Sequence, residues 1–462
     1  MCNYTSILAL SLLAACTAPR LSLRAADEPA QHEQVVAITH ANVITPGADT
    51  AASDMTIIVR GRSIRTVGKT TDVALPADAA VVDAHGMYVI PGLWDMHTHL
   101  VLEGGSYALA QYVSRGVTGV RDMGSQFETV DSMRHAAARG AFTAPRVLAA
   151  GPMIENAAAM VGILKGASHD DSLRALHDRL PLPSPSEATR SVDSLARLGV
   201  DMIKGRDFAD APTYWAIAAA ARRNGLSFVG HAPFGLAVDA AALADSGQRS
   251  IEHWFFPLDL FTVPAAEYAR VVRAYAAHGT ALTPTLGAWR QHRFVVDSLR
   301  AFIAVALRDP RAATAPLLVA HWKKDVADRQ IEIDGKPATV AQLVGWNRVL
   351  DEFARQSARL AGDGMPLLAG SDLPFARYPG DALHDELVFL VREGGLTPSR
   401  ALVAATTAPA RLLRMQDSLG TIQPNMIADL VLLESNPLAN IENVRGVIAV
   451  MQGGSWTWHR PR

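Results

Sequence analysis

The stretch YVIPGLWDMHTHL, residues 88–100, decides how the rest of the chain is read. Its Val, Ile and Leu on either side of a Pro-Gly break predict strands. On a strand, residues two apart face the same side, so His97 and His99 share a face. Two imidazoles on one face are the start of a metal site. If this strand opens a parallel barrel, both histidines stand at its C-terminal end, where barrel active sites lie.

Outward from this stretch the pattern differs on its two sides. Before it come QVVAITHANVIT (34–45), DMTIIVRGRSIRTVG (54–68) and AVVDAHGMYVIPG (80–92), rich in β-formers and broken by Gly, Asp and Asn. They predict part of a small sheet domain over roughly 34–88. After it, strands alternate with helices. SYALAQYVSRG (106–116) predicts a helix. GVTGVRDMG (116–124), APRVLAAG (144–151), VDMIKGRD (200–207), LSFVGHA (226–232), RSIEHWF (249–255), TALTPTLG (280–287) and MPLLAGSDL (365–373) predict strands two to eight. Helical stretches at 211–225, 237–247 and 265–279 each end in Gly, as helix C-termini often do. The expectation is an α/β fold, a (β/α)8 TIM-type barrel over 89–413. A helical insertion over 288–350 follows the seventh strand and is expected to lie over the mouth. ADLVLLESNP (428–437) and VIAVMQGGSWTWHR (447–460) are β-type again. With 34–88, the segment 414–462 is expected to complete a β-sandwich built from both chain ends.

The bulk properties narrow the function classes. In 462 residues the hydrophobic fraction is 49%, the charged fraction 19% and the formal net charge -2. That suits a large globular core and offers no basic excess for nucleic acid or an anionic membrane. The two cysteines, Cys2 and Cys16, lie at the N-terminus. Without another thiol, a metal site must be built from nitrogen and oxygen ligands. ILALSLLAA (7–15) has the length of a signal-peptide core and is too short to span a bilayer. Leu13-Ala14-Ala15-Cys16 resembles a bacterial lipobox, although the first six residues carry no Lys or Arg. The expectation is a signal over 1–16, lipid on Cys16, a tether over 17–33, and a periplasmic or membrane-anchored bacterial lipoprotein. Membrane contact would come only through that lipid. Homo-oligomerisation is left open.

Chemistry-bearing residues recur at one predicted strand end after another. Lys204 lies on the fourth, His231 on the fifth, His253 on the sixth and Asp372 on the eighth. Each alone suits core packing or a surface ion pair, but strand ends in a closed barrel converge on one mouth. Arg121-Asp122 end the second strand and are expected to form a buried ion pair in support of the site, in preference to a direct catalytic role. Arg206 shares the strand face of Lys204 and suits either a substrate carboxylate or a structural salt bridge. His384, in DALHDELVFLV (381–391), is expected on a helix beside the last strand, near the site. Trp254 and Tyr214 suit either the pocket or the core, with core packing the default.

The order H-x-H, Lys, His, His, Asp, taken with PGLWDMHTHL, resembles the binuclear branch of the amidohydrolase superfamily. The run GLTPSRALVAATTAPARLLRM (395–415), followed by LGTIQPNMIADLVLLESNP (419–437), looks like its imidazolonepropionase-like and prolidase-like members. The family tail usually has Gly where this chain has Asn425 or Met426. The resemblance implies two divalent metals, zinc first among them. His97, His99 and Asp372 would hold the buried ion and His231 and His253 the outer one. An N6-carboxylated Lys204 would bridge the two. It also implies hydrolysis of an amide in a small substrate, a dipeptide or N-acyl amino acid, by water activated between the metals. Asp372 would move the proton, and His231 would assist the oxyanion. Alternatives are a mononuclear deaminase, a lactonase, or a non-enzymatic ligand-binding lipoprotein. No G-x-S-x-G, Walker or H-E-x-x-H motif is present.

Overall fold

The computed structural model describes residues 34–461 apart from 166, 168, 234, 235, 237, 255, 260, 261, 332–338, 373 and 374. The expected signal, the tether and both cysteines lie outside the described residues. In chain order the first strands are β1 Val35–Val43, β2 Ala52–Arg60, β3 Ser63–Lys69, β4 Ala80–Asp83 and β5 Tyr88–Pro91. Nine short strands follow. They are β6 Leu93–Thr98, β7 Val117–Asp122, β8 Arg146–Ala149, β9 Met153–Asn156, β10 Arg179–Leu182, β11 Met202–Gly205, β12 Ser227–Gly230, β13 Ser250–Glu252 and β14 Ala281–Thr283. The last are β15 Leu430–Leu433, β16 Val447–Gln452 and β17 Ser455–His459.

The outer strands join both ends of the chain. They form one mostly antiparallel sheet in the order β17-β16-β15-β5-β1-β2-β3, with β4 parallel to β1. Val36, Ile38, Ile57 and Val59 from its N-terminal strands share an apolar cluster with Leu430, Leu432, Ala449 and Met451 from its C-terminal ones. The alternation of β-formers read in both segments therefore corresponds to a common buried face.

The middle strands are all parallel, in the orders β6-β7-β8 and β10-β9-β11-β12-β13-β14. Single hydrogen bonds continue this arrangement. Asp201 N donates to Ala149 O, between β8 and the start of β11. Leu368 N donates to Leu282 O at 2.9 Å, and Met96 N donates to Ala369 O at 2.9 Å, so residues 366–369 run between β14 and β6. Ile154, Ile203, Phe228 and Ile251 turn outward into the main apolar core with the helices. Each such side chain contributes about 1.5–3 kcal/mol by burial. Their neighbours Glu155, Lys204 and Glu252 turn the other way, and that inner face is where the chemistry collects.

The crossover helices carry their own signals. Ser184 caps Pro185–Leu198 and Gly199 closes it with φ 94°. Asp210 caps Ala211–Arg223, accepting from Thr213 N at 2.7 Å. Gly279 ends Ala265–His278 with φ 65°. The helix expected at 237–247 is reduced to the 3-10 turn Ala242–Ser246. Asp239 there accepts from Ala241 N at 3.0 Å, a local bond that competes with helix entry. The sequence reading also passed over β9, β10 and the helices Ala157–Leu164 and His169–Asp178. After β14 come the helices Leu286–Trp289, Val296–Ala306, Pro316–Ile331 and Val340–Gly362. Among the described residues no helix is long and apolar enough to cross a membrane.

Candidate metal centre

His97 and His99 stand at the end of β6, and each has one ring nitrogen committed. His97 Nδ1 bonds Glu252 Oε2 at 2.8 Å, and His99 Nδ1 bonds Gly124 O at 2.8 Å. The committed nitrogen sets the ring's orientation. Both Nε2 atoms consequently converge on one carboxylate oxygen, 3.4 Å and 3.3 Å from Asp372 Oδ1. His253 Nδ1 lies 3.6 Å from Asp372 Oδ2 and 2.6 Å from Thr285 Oγ1. One donor atom each from His97, His253 and Asp372 fall within 4.8 Å of one another.

The backbone is bent to bring these groups in. His253, Thr285 and Asp372, each just past a strand, have φ of 61°, 49° and 49°. A side chain in this left-handed region costs about 1 kcal/mol, and such residues cluster at functional sites. Asp372 N is anchored on His97 O at 2.8 Å and His253 N on Thr283 O at 2.8 Å. Next to Asp372, Gly370 is required by space: a Cβ there would lie 2.7 Å from His97 Cβ.

Lys204 and His231 complete the inner face. Lys204 is 2% exposed and His231 9%. The rings of His231 and His253 are 5.2 Å apart, and His231 N donates to Gly205 O at 2.9 Å. Gln248 Nε2 faces Gly230 O, His231 O and Ser250 O at 2.8, 3.2 and 3.0 Å, so it ties β12 to β13. Tyr214 is a core residue whose hydroxyl donates to Gln248 Oε1 at 2.9 Å.

Burial and mutual charge set the protonation of the cluster. Burial pushes His97 down to about 4 and His253 to about 3, although Asp372 opposes both. Burial, with Lys204 and His253 beside it, also takes His231 well below its ordinary value. His99 goes the other way: burial opposes protonation, but its contact with Asp372 prevails and raises it. Burial alone would raise Asp372, yet His97 and His253 hold it well below the usual carboxylate range. Burial draws Lys204 down to about 8 against the pull of Glu252 and Asp372. Three neutral imidazoles, an ionised carboxylate and converging nitrogen and oxygen atoms in a buried recess are a donor set that fits a divalent cation.

Other expected residues fall elsewhere. Arg121 and Asp122 do not pair with each other, because adjacent strand residues point to opposite faces. Arg121 reaches Glu252 Oε1 at 2.8 Å, Ser250 Oγ at 2.9 Å and Met96 O at 2.7 Å. Asp122 accepts from Leu100 N and Ser125 Oγ, both at 2.8 Å, and so braces the turn after β6. Arg206 lies 2.5 Å from Glu155 Oε2. His384 is buried, with Nε2 on Arg115 O at 2.9 Å. Arg115 precedes β7 at the end opposite Asp122, so the structure does not bring His384 to the cluster. Trp254 stacks on Trp346 at 5.8 Å and packs on Trp289 at 4.4 Å, and Trp289 meets His253 edge-on at 5.9 Å. The post-β14 helices therefore seat against the centre.

Several residues escaped the sequence reading. Glu252 was legible in principle, being an acid two places from Ser250 with Ile251 between. Glu103 accepts from His99 N at 2.9 Å and from Tyr112 hydroxyl at 2.6 Å, and burial pushes it up to about 8. His321, from Pro316–Ile331, is close enough to His99 and Asp372 for their charges to act on it. No local pattern announces a residue supplied by an inserted helix.

Residues 88–457 match the amidohydrolase family. No functionally curated protein matches the chain by sequence. Among solved structures, a protein from Bifidobacterium longum assigned as a prolidase is 23% identical, with TM-score 0.69 over 93% of this chain and 96% of its own. A prolidase solved with N-methylphosphonate-L-proline is 21% identical, TM-score 0.66, over 92% and 100%. The ochratoxinase of A. niger is 16% identical, TM-score 0.65, over 93% and 97%. At these identities the structural likenesses establish a shared fold.

Proposed function

The chain belongs to the amidohydrolase family and is a hydrolase of carbon–nitrogen bonds, and from that premise we propose that it cleaves a dipeptide or N-acyl amino acid. The observation that carries the reading is the convergence of His97 Nε2 and His99 Nε2 on Asp372 Oδ1, with His253 on its other oxygen.

The scaffold in this proposal is a (β/α)8 barrel of β6, β7, β8, β11, β12, β13, β14 and residues 366–369. The hydrogen bonds from Leu368 to Leu282 and from Met96 to Ala369 support its closure. His97, His99 and Asp372 would hold one divalent ion and His231 and His253 a second. Zinc suits this mixture of imidazole and carboxylate. Lys204, carboxylated, would bridge them. An amine drawn down to about 8 is neutral in a useful fraction near neutral pH, the form that adds carbon dioxide. Ions bound here would supply positive charge to acidify water and polarise the scissile carbonyl.

The chain's own groups then move the protons. Asp372, held ionised, accepts the proton of the attacking water on its carboxylate and delivers it to the leaving nitrogen. His231, held neutral, faces the carbonyl oxygen from β12. Glu252 keeps the His97 ring turned toward Asp372. The cluster's burial keeps bulk water from competing.

The test is a screen of purified, zinc-loaded protein against dipeptides, N-acyl amino acids, lactones and amino-substituted heterocycles. Amide turnover supports the reading. Turnover of esters alone, or deamination alone, overturns it. We also propose export with lipid on Cys16, tested by membrane fractionation of a Cys16→Ser variant.

A further inference from the structure

Beyond the metal centre, the mouth contains a second built cluster. Its residues follow from strand alternation. Ile203 faces the outer core, so Lys204 and then Arg206 face inward; Ile154 faces out, so Glu155 faces in. The pairing of Gly205 with Ile154 sets the two strands side by side. Glu155 is fully buried, with Arg206 Nη1 at 2.5 Å and Arg179 Nε at 3.5 Å from its Oε2.

This arrangement is incompletely satisfied. Two guanidinium groups share one carboxylate oxygen. The other oxygen, Glu155 Oε1, is buried with no hydrogen-bond partner among the described residues, and so is Arg179 Nε. Asp178 lies within electrostatic reach of Arg179 and His99. Arg206 is the member turned to the mouth, its side chain 37% exposed. A guanidinium so placed, with donors remaining after its bond to Glu155, is suited to a planar anion.

Its position says which anion. Arg206 lies two residues beyond Lys204 on one strand face, a rise of about 6.6 Å. The α-carboxylate of an N-acyl amino acid lies two covalent bonds beyond the amide nitrogen, within a guanidinium's reach when the carbonyl sits at the metal centre. We propose that Arg206, backed by Arg179 and fixed by Glu155, receives a free carboxylate on the amine half of the substrate. This rests on the hydrolase reading above and deepens it: the substrate is an N-acyl amino acid or dipeptide with an unblocked C-terminus.

The experiment compares a series of N-acetyl amino acids with their primary amides and with N-succinyl amines, using the zinc-loaded full chain. The free acids are expected to exceed the amides in kcat/KM by about 100-fold. In Arg206→Met and Arg179→Met that ratio should shrink at least about ten-fold, mainly through KM, with Arg206→Lys retaining part of it. Should Arg206→Met fail to fold by circular dichroism, the Arg206→Lys and Arg179→Met ratios decide. Equal use of acids and amides by the unaltered protein, or an unchanged ratio in the variants, overturns the proposal while leaving the hydrolase reading intact. Preference for N-succinyl amines overturns it by placing the charge on the acyl half. No turnover across the series overturns both.

Discussion

Glu252 Oε2 bonds His97 Nδ1 at 2.8 Å while its other oxygen holds Arg121 Nη2 at 2.8 Å, so one buried carboxylate both orients the His97 imidazole and neutralises a buried cation. Burial would raise Glu252, but Arg121 and His97 hold it ionised. Glu252→Gln should therefore lower zinc affinity and kcat/KM by about 10–100-fold, as loss of a ligand-orienting group does. It should also cost about 3 kcal/mol of stability, because Arg121 is left buried without its counter-charge. Zinc competition titration and urea unfolding measure the two effects. Unchanged zinc affinity would remove Glu252 from the centre.

Lys204 distinguishes one ion from two. In the proposed two-ion centre, Lys204→Ala removes the carbamate that would bridge the ions and leaves Asp372 as the carboxylate shared by His97, His99 and His253. Bound zinc should fall from about two ions per chain to about one, with kcat reduced by at least about 100-fold. Elemental analysis of dialysed protein reads the first and steady-state kinetics the second. Full activity with one ion per chain would argue for a mononuclear enzyme.

What could be read in advance follows the strand periodicity. His97 and His99 are visible because two-residue spacing and the flanking β-formers speak locally. Lys204, His231, His253 and Asp372 each end an apolar run, so a parallel arrangement predicts their meeting. Glu103 and His321 follow no such rule, because a turn and an inserted helix deliver them. His384 misled for the same reason: its helix runs beside the last strand, but the register along that helix sets it at the far end, on Arg115 O.

Gly370 is a packing constraint on His97. A Cβ at this position would stand 2.7 Å from both His97 Cβ and Thr283 Cγ2. Neither atom is the free end of a flexible chain, so Gly370→Ala must shift β6 against the residues before Asp372. Overpacking of this kind costs about 1–3 kcal/mol. The expected outcome is a folded protein with lower melting temperature and zinc affinity reduced more than about ten-fold, read by calorimetry and zinc titration. Wild-type zinc affinity would show that the centre tolerates the displacement.

His384 supplies a pH test that leaves the centre untouched. Its ring is buried, Nε2 sits on Arg115 O, and Nδ1 has no hydrogen-bond partner among the described residues. Burial pushes it down to about 4, although Asp381 opposes this. In the unfolded chain the same ring titrates near 6.5, so between 6.5 and about 4 the unfolded state binds a proton that the folded state refuses. This group's contribution is thus intact above 6.5 and is lost as pH falls toward 4, by up to about 1.4 kcal/mol per pH unit. In His384→Gln the amide can still donate to Arg115 O, but that proton uptake is gone. Urea unfolding of the two proteins from pH 7 to pH 4.5 should show wild-type stability falling relative to the variant, with the difference opening only below about 6.5. A constant difference across the range would mean that the imidazole is protonated in the folded protein.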